Sequence, residues 1–250
     1  MRKVLATALV CAMSVFADWH QFPIIGEGIG EAKIAVYQSR QGNAGKGPAM
    51  DYFRLRYSPI ANLELLSEAS LRPPPPGQTV GANHTLGARY QIIPAMLSAG
   101  VNVGVPIPRT NWNFTPHIQF STPMTSTLTL GSFARMTINT EETIIKEDSD
   151  YTYTKGMDFR AGIELDQKVG QKSILWVGGD IGKGLTNSEK DGDEVSRKLE
   201  NRGLGIYPAF GYLIVLGNLS LGTLAVLGFG EDAGNKPFNT TVGASASVRF

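Results

Sequence analysis

The sequence predicts an all-β fold, a transmembrane antiparallel β-barrel of about twelve strands that follows a cleaved N-terminal signal peptide. Three observations predict it. Segments in which apolar and polar residues alternate with a period of two recur along the chain. The connections between these segments alternate between long and short, and the charges inside the segments lie almost wholly on the small, polar face.

The chain opens with the parts of a secretory signal peptide. Two basic residues precede an apolar stretch from Val4 to Phe16, which is short for a membrane span. Val15 and Ala17 fit a small-residue cleavage site. We therefore expect residues 1–17 to be the signal peptide and residues 18–250 to be one barrel domain. The alternative is an uncleaved anchor.

Composition excludes several classes of function. The chain has 23 basic and 22 acidic residues, and the predicted cleavage removes two basic ones, so the mature protein is close to neutral. It has no basic field to attract nucleic acid. The single cysteine, Cys11, lies in the predicted signal peptide, so we expect neither disulfides nor thiol chemistry. Twenty-nine glycines are more than a helical protein tolerates well.

Twelve segments fit the strand pattern, with boundaries uncertain by about two to four residues. In the segment that begins at Trp112, for example, every second residue is apolar, while the residues between them are Asn, Thr, His, Gln and Ser. The last segment alternates up to the final residue, Phe250. The predicted strands are 28–39, 50–58, 62–71, 83–93, 95–106, 112–121, 125–138, 152–166, 172–186, 202–216, 219–230 and 239–250.

Residues 210–229 allow a second interpretation. This stretch is uncharged and twenty residues long, the length of a membrane helix. However, Gly217 and Asn218 at its centre suit a two-residue hairpin turn, and glycines recur through it. We predict two strands and a turn, with the helix as the alternative.

The connections indicate how the strands are arranged. Long polar links such as "RPPPPGQTVGA" and "NSEKDGDEVSRKLEN" alternate with short ones such as "SPIAN", "IPA" and "GN". Membrane barrels have long external loops and tight periplasmic turns, so this alternation is typical of them. An even number of strands places both chain ends on the turn side.

The distribution of charge favours a membrane barrel over a soluble sandwich. A sandwich exposes a charged outer face, whereas a membrane barrel turns its apolar face to lipid and its polar face to the lumen. Aromatic residues on the apolar face near strand ends also suit the interfacial girdles of such barrels. These residues are Tyr57, Tyr90, Trp112, Phe120, Tyr151, Tyr153 and Phe250.

The signal peptide, the amphipathic strands and the closing "SVRF" together resemble a bacterial outer-membrane β-barrel protein. More loosely, hairpins such as "FRLRYSPIANLELLSEASL" look like the transporter-annotated barrels of the phenol meta-pathway type. The resemblance implies a location in the outer membrane, contact with outer-membrane lipid and lipopolysaccharide, and recognition of Phe250 by the barrel-assembly machinery. It is a resemblance of architecture and covers the whole mature chain.

The sequence contains strings that look like cofactor-binding motifs, but none of them matches its motif in full. "GGDIGKGLT" departs from a phosphate-binding loop, and the calcium-like loop at 187–198 ends on Lys198 where a glutamate is needed. We expect no metal, no cofactor and no enzyme activity. A lipid-facing hydrolase would need a Ser–His pair on the outer face, and we expect none. His117 is expected in the lumen, and His84 at a loop edge.

Charged residues on the predicted inner face are the best candidates for function. Seven are basic and six acidic, which argues against a dedicated anion channel. The basic ones are Lys33, Arg54, Arg56, Arg89, Arg135, Arg160 and Arg249, and the acidic ones are Glu31, Glu64, Glu68, Asp158, Glu164 and Asp180.

Two functions remain open on these residues. The first is a passive channel for small polar solutes, with a lumen or constriction lined by Arg54, Arg56, Glu64, Glu68, Arg89, Arg135, Asp158, Arg160 and Glu164. The second is a structural or adhesive barrel whose charges pair across the lumen and plug it. Its external loops at 139–151 and 187–201 would then bind partners.

Overall fold

The protein is a closed antiparallel barrel of twelve strands with a separate sheet of four short strands. The structure, a computed structural model, describes residues 25–41, 46–72, 81–107, 112–146, 149–185, 187–191, 194–199, 204–230 and 239–250. The barrel strands are β1 (Gly30–Gln41), β2 (Lys46–Ile60), β3 (Leu63–Arg72), β4 (Gly81–Ile93), β5 (Leu97–Ile107), β6 (Asn113–Pro123), β7 (Leu128–Asn139), β10 (Met157–Val169), β11 (Ser173–Gly184), β14 (Gly205–Leu216), β15 (Leu219–Gly230) and β16 (Asn239–Arg249). The separate sheet contains β8 (Glu141–Lys146), β9 (Ser149–Lys155), β12 (Asn187–Asp191) and β13 (Glu194–Leu199).

The alternation in sequence becomes two faces of the barrel wall. On β1, Glu31, Lys33 and Ala35 are buried inside, whereas Ile34 and Val36 are 61% and 54% exposed outside. The last strand, β16, shows the same alternation: Thr241 is buried inside, and Val242 and Val248 are exposed outside. Side chains of a strand alternate between faces, so polar residues collect in the lumen and apolar residues form the outer surface. The predicted fold class is confirmed.

The ring closes where the first barrel strand meets the last. β1 pairs with β16 in an antiparallel register that sets Glu31 opposite Arg249. Beyond that pair, the Gly30 amide donates to the Phe250 carbonyl at 2.8 Å, and the Phe250 amide donates to the Gly30 carbonyl at 3.0 Å. The final residue therefore completes the seam.

Tight turns join the strands at one end, which we call the turn end, and the opposite end is the loop end. The turn after β14 is Gly217–Asn218, and Gly217 has a φ of 65°, a conformation that glycine adopts without a steric penalty. The alternative of a membrane helix over 210–229 is therefore wrong. In the described part of the chain, no helix is long and apolar enough to cross a membrane.

The predicted strand boundaries agree with the barrel strands to within about five residues, but the external segments differ from expectation. The predicted loops at 139–151 and 187–201 contain the whole of β8, β12 and β13, and the start of β9. The predicted strand 152–166 divides at Gly156 into β9 and β10. β8, β12 and β13 lack apolar–polar alternation, so the pattern that identifies barrel strands could not identify them. β9 alternates Tyr with Thr, and for that reason the pattern joined it to β10 in one predicted strand.

The outward position predicted for the girdle aromatics is confirmed in part. Tyr57, Tyr90, Trp112 and Phe250 are exposed on the outer face or at its edge, and Phe120 is half-buried there. The remaining two predicted members, at 151 and 153, belong to β9 in the separate sheet and not to the barrel wall. Their side chains lie outside the described residues.

Candidate functional site in the barrel lumen

The structure places the charged residues predicted for the lumen on the inner face. Glu31, Lys33, Arg54, Arg56, Glu64, Arg89, Arg160, Glu164 and Asp180 are buried there. The others, Glu68, Arg135, Asp158 and Arg249, alternate in register with these residues or with buried neighbours on the same strands.

A turn-side network of ion pairs lies near the turn end. Arg56 is its centre, with Nη2 3.0 Å from Glu31 Oε1 and Nη1 3.2 Å from Glu64 Oε2. Arg54 Nη2 lies 3.1 Å from the same Glu31 oxygen, and Arg89 Nη2 lies 2.9 Å from Glu64 Oε1. Both carboxylates are nearly inaccessible, and each accepts from more than one guanidinium group, as buried charges require.

The network extends at both ends along the wall. Arg249 Nε donates to Glu31 Oε2 at 3.1 Å, which continues it onto β16. On the other side, Arg89 donates to Gln119 across Gly100, which faces the lumen on the intervening β5. Each ion pair described above joins neighbouring strands, so the pairing runs along the wall.

The predicted lining residues nearer the loop end have different contacts. Arg160 Nη1 lies 3.4 Å from Asp180 Oδ1, and its Cζ atom lies 4.7 Å from the centre of the Tyr207 ring. Arg135 stacks less closely on Phe133, at 5.8 Å. These contacts hold guanidinium groups along the wall.

Glu68 borders the turn-side network, opposite Arg54 in register, whereas Asp158 lies far from it. Tyr52 donates a hydrogen bond of 2.6 Å to Glu68 Oε1. Asp158 is half-buried near the loop end of β10. The structure therefore brings Arg54, Arg56, Glu64 and Arg89 of the predicted set together, but not the whole set.

The sequence analysis missed an aromatic cluster inside the lumen. Tyr37 and Tyr52 pack edge to face with ring centres 6.1 Å apart. They belong to one apolar cluster of buried residues with Ala35, Met50, Trp176, Tyr207, Ala209 and Val226. The prediction that apolar side chains lie on the outer surface of the barrel fails for this cluster, since its side chains occupy positions that alternation assigns to the lumen.

Glycines on neighbouring strands explain how large rings fit inside. Trp176 pairs in register with Gly211, and a Cβ atom at Gly211 would lie 2.5 Å from the Trp176 ring. Tyr37 pairs with Gly243 in the same way, and its ring lies over that glycine. The rings therefore lie along the wall. A large inward residue directly opposite an inward glycine predicts that the ring lies along the wall. This prediction requires the strand register, which the sequence pattern does not give.

Facing walls of the lumen carry opposite charge. Among the described side chains, the inward charges of the wall formed by β1 to β4 and β16 are five basic and three acidic. Those of the wall formed by β7, β10 and β11 are three basic, with Lys168 included, and four acidic. In the ring of twelve, β2 is six strands from β10, and β3 is six strands from β11. The two walls are therefore opposite each other, and a transverse field crosses the lumen.

Residues before β1 fold against the turn-side network. Ile25 is buried, and its amide donates a hydrogen bond of 3.2 Å to Glu64 Oε2. The Gly28 amide donates to the Ser58 carbonyl at 2.8 Å. The chain thus enters the barrel at the turn end beside the ion pairs.

One expectation about catalytic residues is wrong. Ser67 and His84 both lie on the outer face, and Ser67 Oγ is 3.1 Å from His84 Nε2. The residues are diagonal neighbours on β3 and β4, which sequence distance alone does not reveal. His117 lies in the lumen, as expected, and is half-buried.

The outer Ser–His pair lacks the other parts of a hydrolase site. In the described part of the chain, no carboxylate contacts His84 to orient it. Ser67 pairs in register with Leu55 and Leu86 on both sides, so the neighbouring amides belong to the sheet and are not free to stabilise an oxyanion. The described residues also contain no group of three or more His, Cys, Asp or Glu side chains that could hold a metal ion.

Solved structures of bacterial outer-membrane barrels resemble this protein. A chain described as the COG4313 outer membrane channel from Pseudomonas putida F1 superposes with a TM-score of 0.70 at 11% identity, over 94% of this chain and all of that one. The fold is that of an outer-membrane barrel. The translocator domain of the autotransporter NalP from Neisseria meningitidis has a TM-score of 0.56 at 11% identity over 100% of this chain and 98% of its own, and the NanC porin 0.55 at 6% identity over 87% and 98%. No protein-family model and no curated protein matches the chain.

Proposed function

We propose that this protein is a passive channel of the bacterial outer membrane for small polar solutes. The observation that carries the proposal is the pair of oppositely charged walls across the lumen. A field between such walls orients a dipolar solute and eases its partial dehydration, while uncharged apolar solutes gain nothing from it. No turnover or cofactor is needed.

The outer surface supports the membrane location. Large apolar side chains are exposed on every barrel strand, as with Ile163, Leu86 and Phe210, which are more than half exposed. A soluble monomer rarely exposes a continuous apolar surface of this size, whereas lipid covers it at no cost. We infer that outer-membrane lipid and lipopolysaccharide surround the barrel and that the barrel-assembly machinery inserts it.

The structural likeness supports the same proposal. Several of the similar chains are described as channels or porins, including one KdgM porin in complex with disordered oligogalacturonate. We carry over only the class of function, a channel, and not the solute.

A structural or adhesive barrel is the second candidate function. The observation that favours it is the four-stranded sheet at the loop end. Among the described strands, its two outer ones, β8 and β13, each pair on one side only. Free strand edges can pair with a partner chain. In that case the lumen would be plugged.

Single-channel conductance of the refolded protein in a planar bilayer tests the proposal. We expect steady conductance, with Arg54→Ala increasing the preference for cations several-fold and Glu64→Ala increasing the preference for anions. Arg40→Ala is the matched control, because Arg40 is exposed on the outer face and its loss should leave selectivity unchanged.

Two outcomes would contradict the channel. A silent wild type that conducts once Arg54 or Glu64 is removed would show a lumen plugged by these ion pairs, in favour of the adhesive barrel. Silence in every variant would exclude the channel altogether.

A separate assay tests the outer Ser–His pair. Phospholipid hydrolysis that Ser67→Ala abolishes would show that this pair is catalytic.

A further inference from the structure

One carboxylate lies on the outer, lipid-facing surface of the barrel. Asp51 on β2 is exposed, whereas its neighbours Met50 and Tyr52 are buried, so the Asp51 side chain points outward. It is the only acidic residue on the outer face of the described barrel strands. Among the described residues, its carboxylate has no hydrogen-bond or ion-pair partner. Arg40 on β1 also faces outward, but it lies four residues beyond Val36, the register partner of Asp51.

Asp51 lies within the apolar band of the barrel wall. Tyr57, near the turn end of the same strand, is six residues away, which is about 20 Å along the strand. With a strand tilt of about 40°, this places Asp51 about 15 Å above Tyr57, and the apolar band of such barrels is about 25 Å tall. Val36 and Leu71, which flank Asp51 in register, are exposed apolar residues. A carboxylate at this depth loses its hydration in lipid, and that loss is costly unless a donor replaces the water.

His84 on β4 lies on the same face and at about the same depth as Asp51, two strands away. Its register row meets β2 at Phe53, so it is two residues nearer the turn end than the row of Asp51. Strand tilt offsets this difference, because register rows rise toward the loop end from β2 to β4: Tyr57 is closer to its turn than Ala88, which lies in the same row. The two groups are then about 12 Å apart along the surface, too far to meet within one chain.

A hydrogen bond within the chain orients the His84 ring. Ser67 Oγ lies 3.1 Å from His84 Nε2. When the hydroxyl donates to Nε2, the ring proton is on Nδ1, which has no partner among the described residues. The outer face of one chain therefore carries an acceptor, Asp51, and a donor, His84, that only another molecule can bring together.

We propose that a second copy of this chain packs against the outer face of β1 to β4, with Asp51 of each copy bonded to His84 of the other. All copies cross the membrane in the same orientation, so a two-fold axis between two of them is perpendicular to the membrane. Such an axis brings together points at equal depth on its two sides. An axis beside β3, midway between Asp51 and His84, therefore forms both contacts at once and leaves neither carboxylate in lipid.

The surface around this axis suits close packing of two copies. Ala69 is the outward residue of β3 beside the axis, and a small residue there lets the two walls approach. On one side of the axis lies a groove of about 540 Å³. Its lining includes small side chains at both edges, Ala69 on β3 and Ala244 and Ala246 on β16, and larger ones between them, Ile34 and Phe53. Leu86 on β4, 57% exposed, lies across the axis at about the depth of the groove, so the symmetry brings it to the groove of the other copy.

Disulfide cross-linking in outer-membrane vesicles tests the contact and does not depend on whether the lumen conducts. Ala69→Cys places a thiol beside the axis, close to the same thiol of the second copy. Ala161→Cys is the matched control, because Ala161 is an outward alanine on β10, five strands from β3 around the ring. We expect oxidation to link many-fold more of the Ala69→Cys protein into dimers than of the control. The wild type, whose single cysteine is Cys11, gives the background.

The polar contacts are tested by further changes in the Ala69→Cys protein. Asp51→Leu and His84→Leu should each lower the cross-linked fraction about fivefold, the usual effect of losing one hydrogen bond. Asp51→His combined with His84→Asp should restore it, because each contact again joins one carboxylate and one imidazole. Migration on a gel before and after boiling shows that each variant is a folded barrel, and leucine on a lipid-facing position is compatible with that fold.

Three results would overturn the proposal. Equal cross-linking of Ala161→Cys would show random collisions between barrels. Cross-linking of Ala69→Cys no higher than the background would show that lipid covers this face. A cross-linked fraction that Asp51→Leu and His84→Leu both leave unchanged would show that the two polar groups do not meet.

Discussion

Arg56 shows at the scale of a residue how the lumen tolerates charge. Its two terminal nitrogens reach carboxylates on the strands either side, Glu31 on β1 and Glu64 on β3. A planar guanidinium group donates in two directions at once, which a lysine ammonium on a flexible stem does less well. Arginine at this position therefore ties three strands together while keeping their charges paired.

Phe250 has a structural role that is visible at the same scale. Its backbone makes two hydrogen bonds with Gly30, and its ring lies over Gly30, where no Cβ atom obstructs it. The terminal aromatic residue thus joins the two ends of the barrel. Its recognition by the assembly machinery remains a prediction.

Deletion of Phe250 is expected to lower the yield of assembled barrel sharply, because it removes both seam hydrogen bonds together with the terminal aromatic ring. The measurement is the amount of heat-modifiable protein in the outer-membrane fraction. Phe250→Tyr is the control, since it keeps the backbone and an aromatic ring. Equal assembly after the deletion would show that the last residue is dispensable.

At the scale of an element, glycines make room for neighbouring rings. Gly211 on β14 and Gly243 on β16 face the lumen directly opposite Trp176 and Tyr37. Without a Cβ atom, each leaves space for the opposing ring to lie flat on the sheet, which covers the bare backbone. The glycines on these strands therefore determine how far the aromatic rings project into the lumen.

Gly211→Ala is expected to displace the Trp176 ring into the lumen, because the new Cβ would lie 2.5 Å from that ring and would also collide with the Thr223 carbonyl oxygen. We expect a fall in conductance of about twofold or more and a blue or red shift in tryptophan fluorescence. Gly179→Ala is the control, since the nearest atom to its Cβ would be 3.2 Å away. Unchanged conductance and fluorescence in Gly211→Ala would show that the ring does not narrow the pore.

At the scale of the whole molecule, closure of the ring decides the electrostatics. Basic residues concentrate on strands from the first third of the chain and on β16, and acidic residues on β10 and β11. Closure sets β2 opposite β10 and so converts a difference along the sequence into a field across the lumen. A formal balance of charge over the whole chain conceals this separation.

The closed ring also predicts a simple physical property. Every barrel strand is hydrogen-bonded on both sides, so no strand edge is left from which unfolding can start. We expect the refolded protein to migrate differently on a detergent gel before and after boiling. Identical migration of boiled and unboiled samples from the outer-membrane fraction would contradict a stable closed barrel.

The sequence by itself determined the local features of this protein. The period of two assigned each strand and each face, because adjacent side chains on a strand point in opposite directions whatever the strand pairs with. It therefore predicted the inward positions of Arg54, Arg56 and Glu164, and the turn at Gly217, whose glycine is required by its backbone angles.

Only the tertiary structure decided which of these residues meet. The contacts of Arg56 with Glu31, of Ser67 with His84 and of Trp176 with Gly211 depend on strand register. The separate sheet depends on pairing between four segments, three of which, β8, β12 and β13, carry no apolar alternation. The opposed walls depend on how the ring closes. Register and closure are set by hydrogen bonds between residues distant in sequence, and a pattern read along one strand contains no information about its partner.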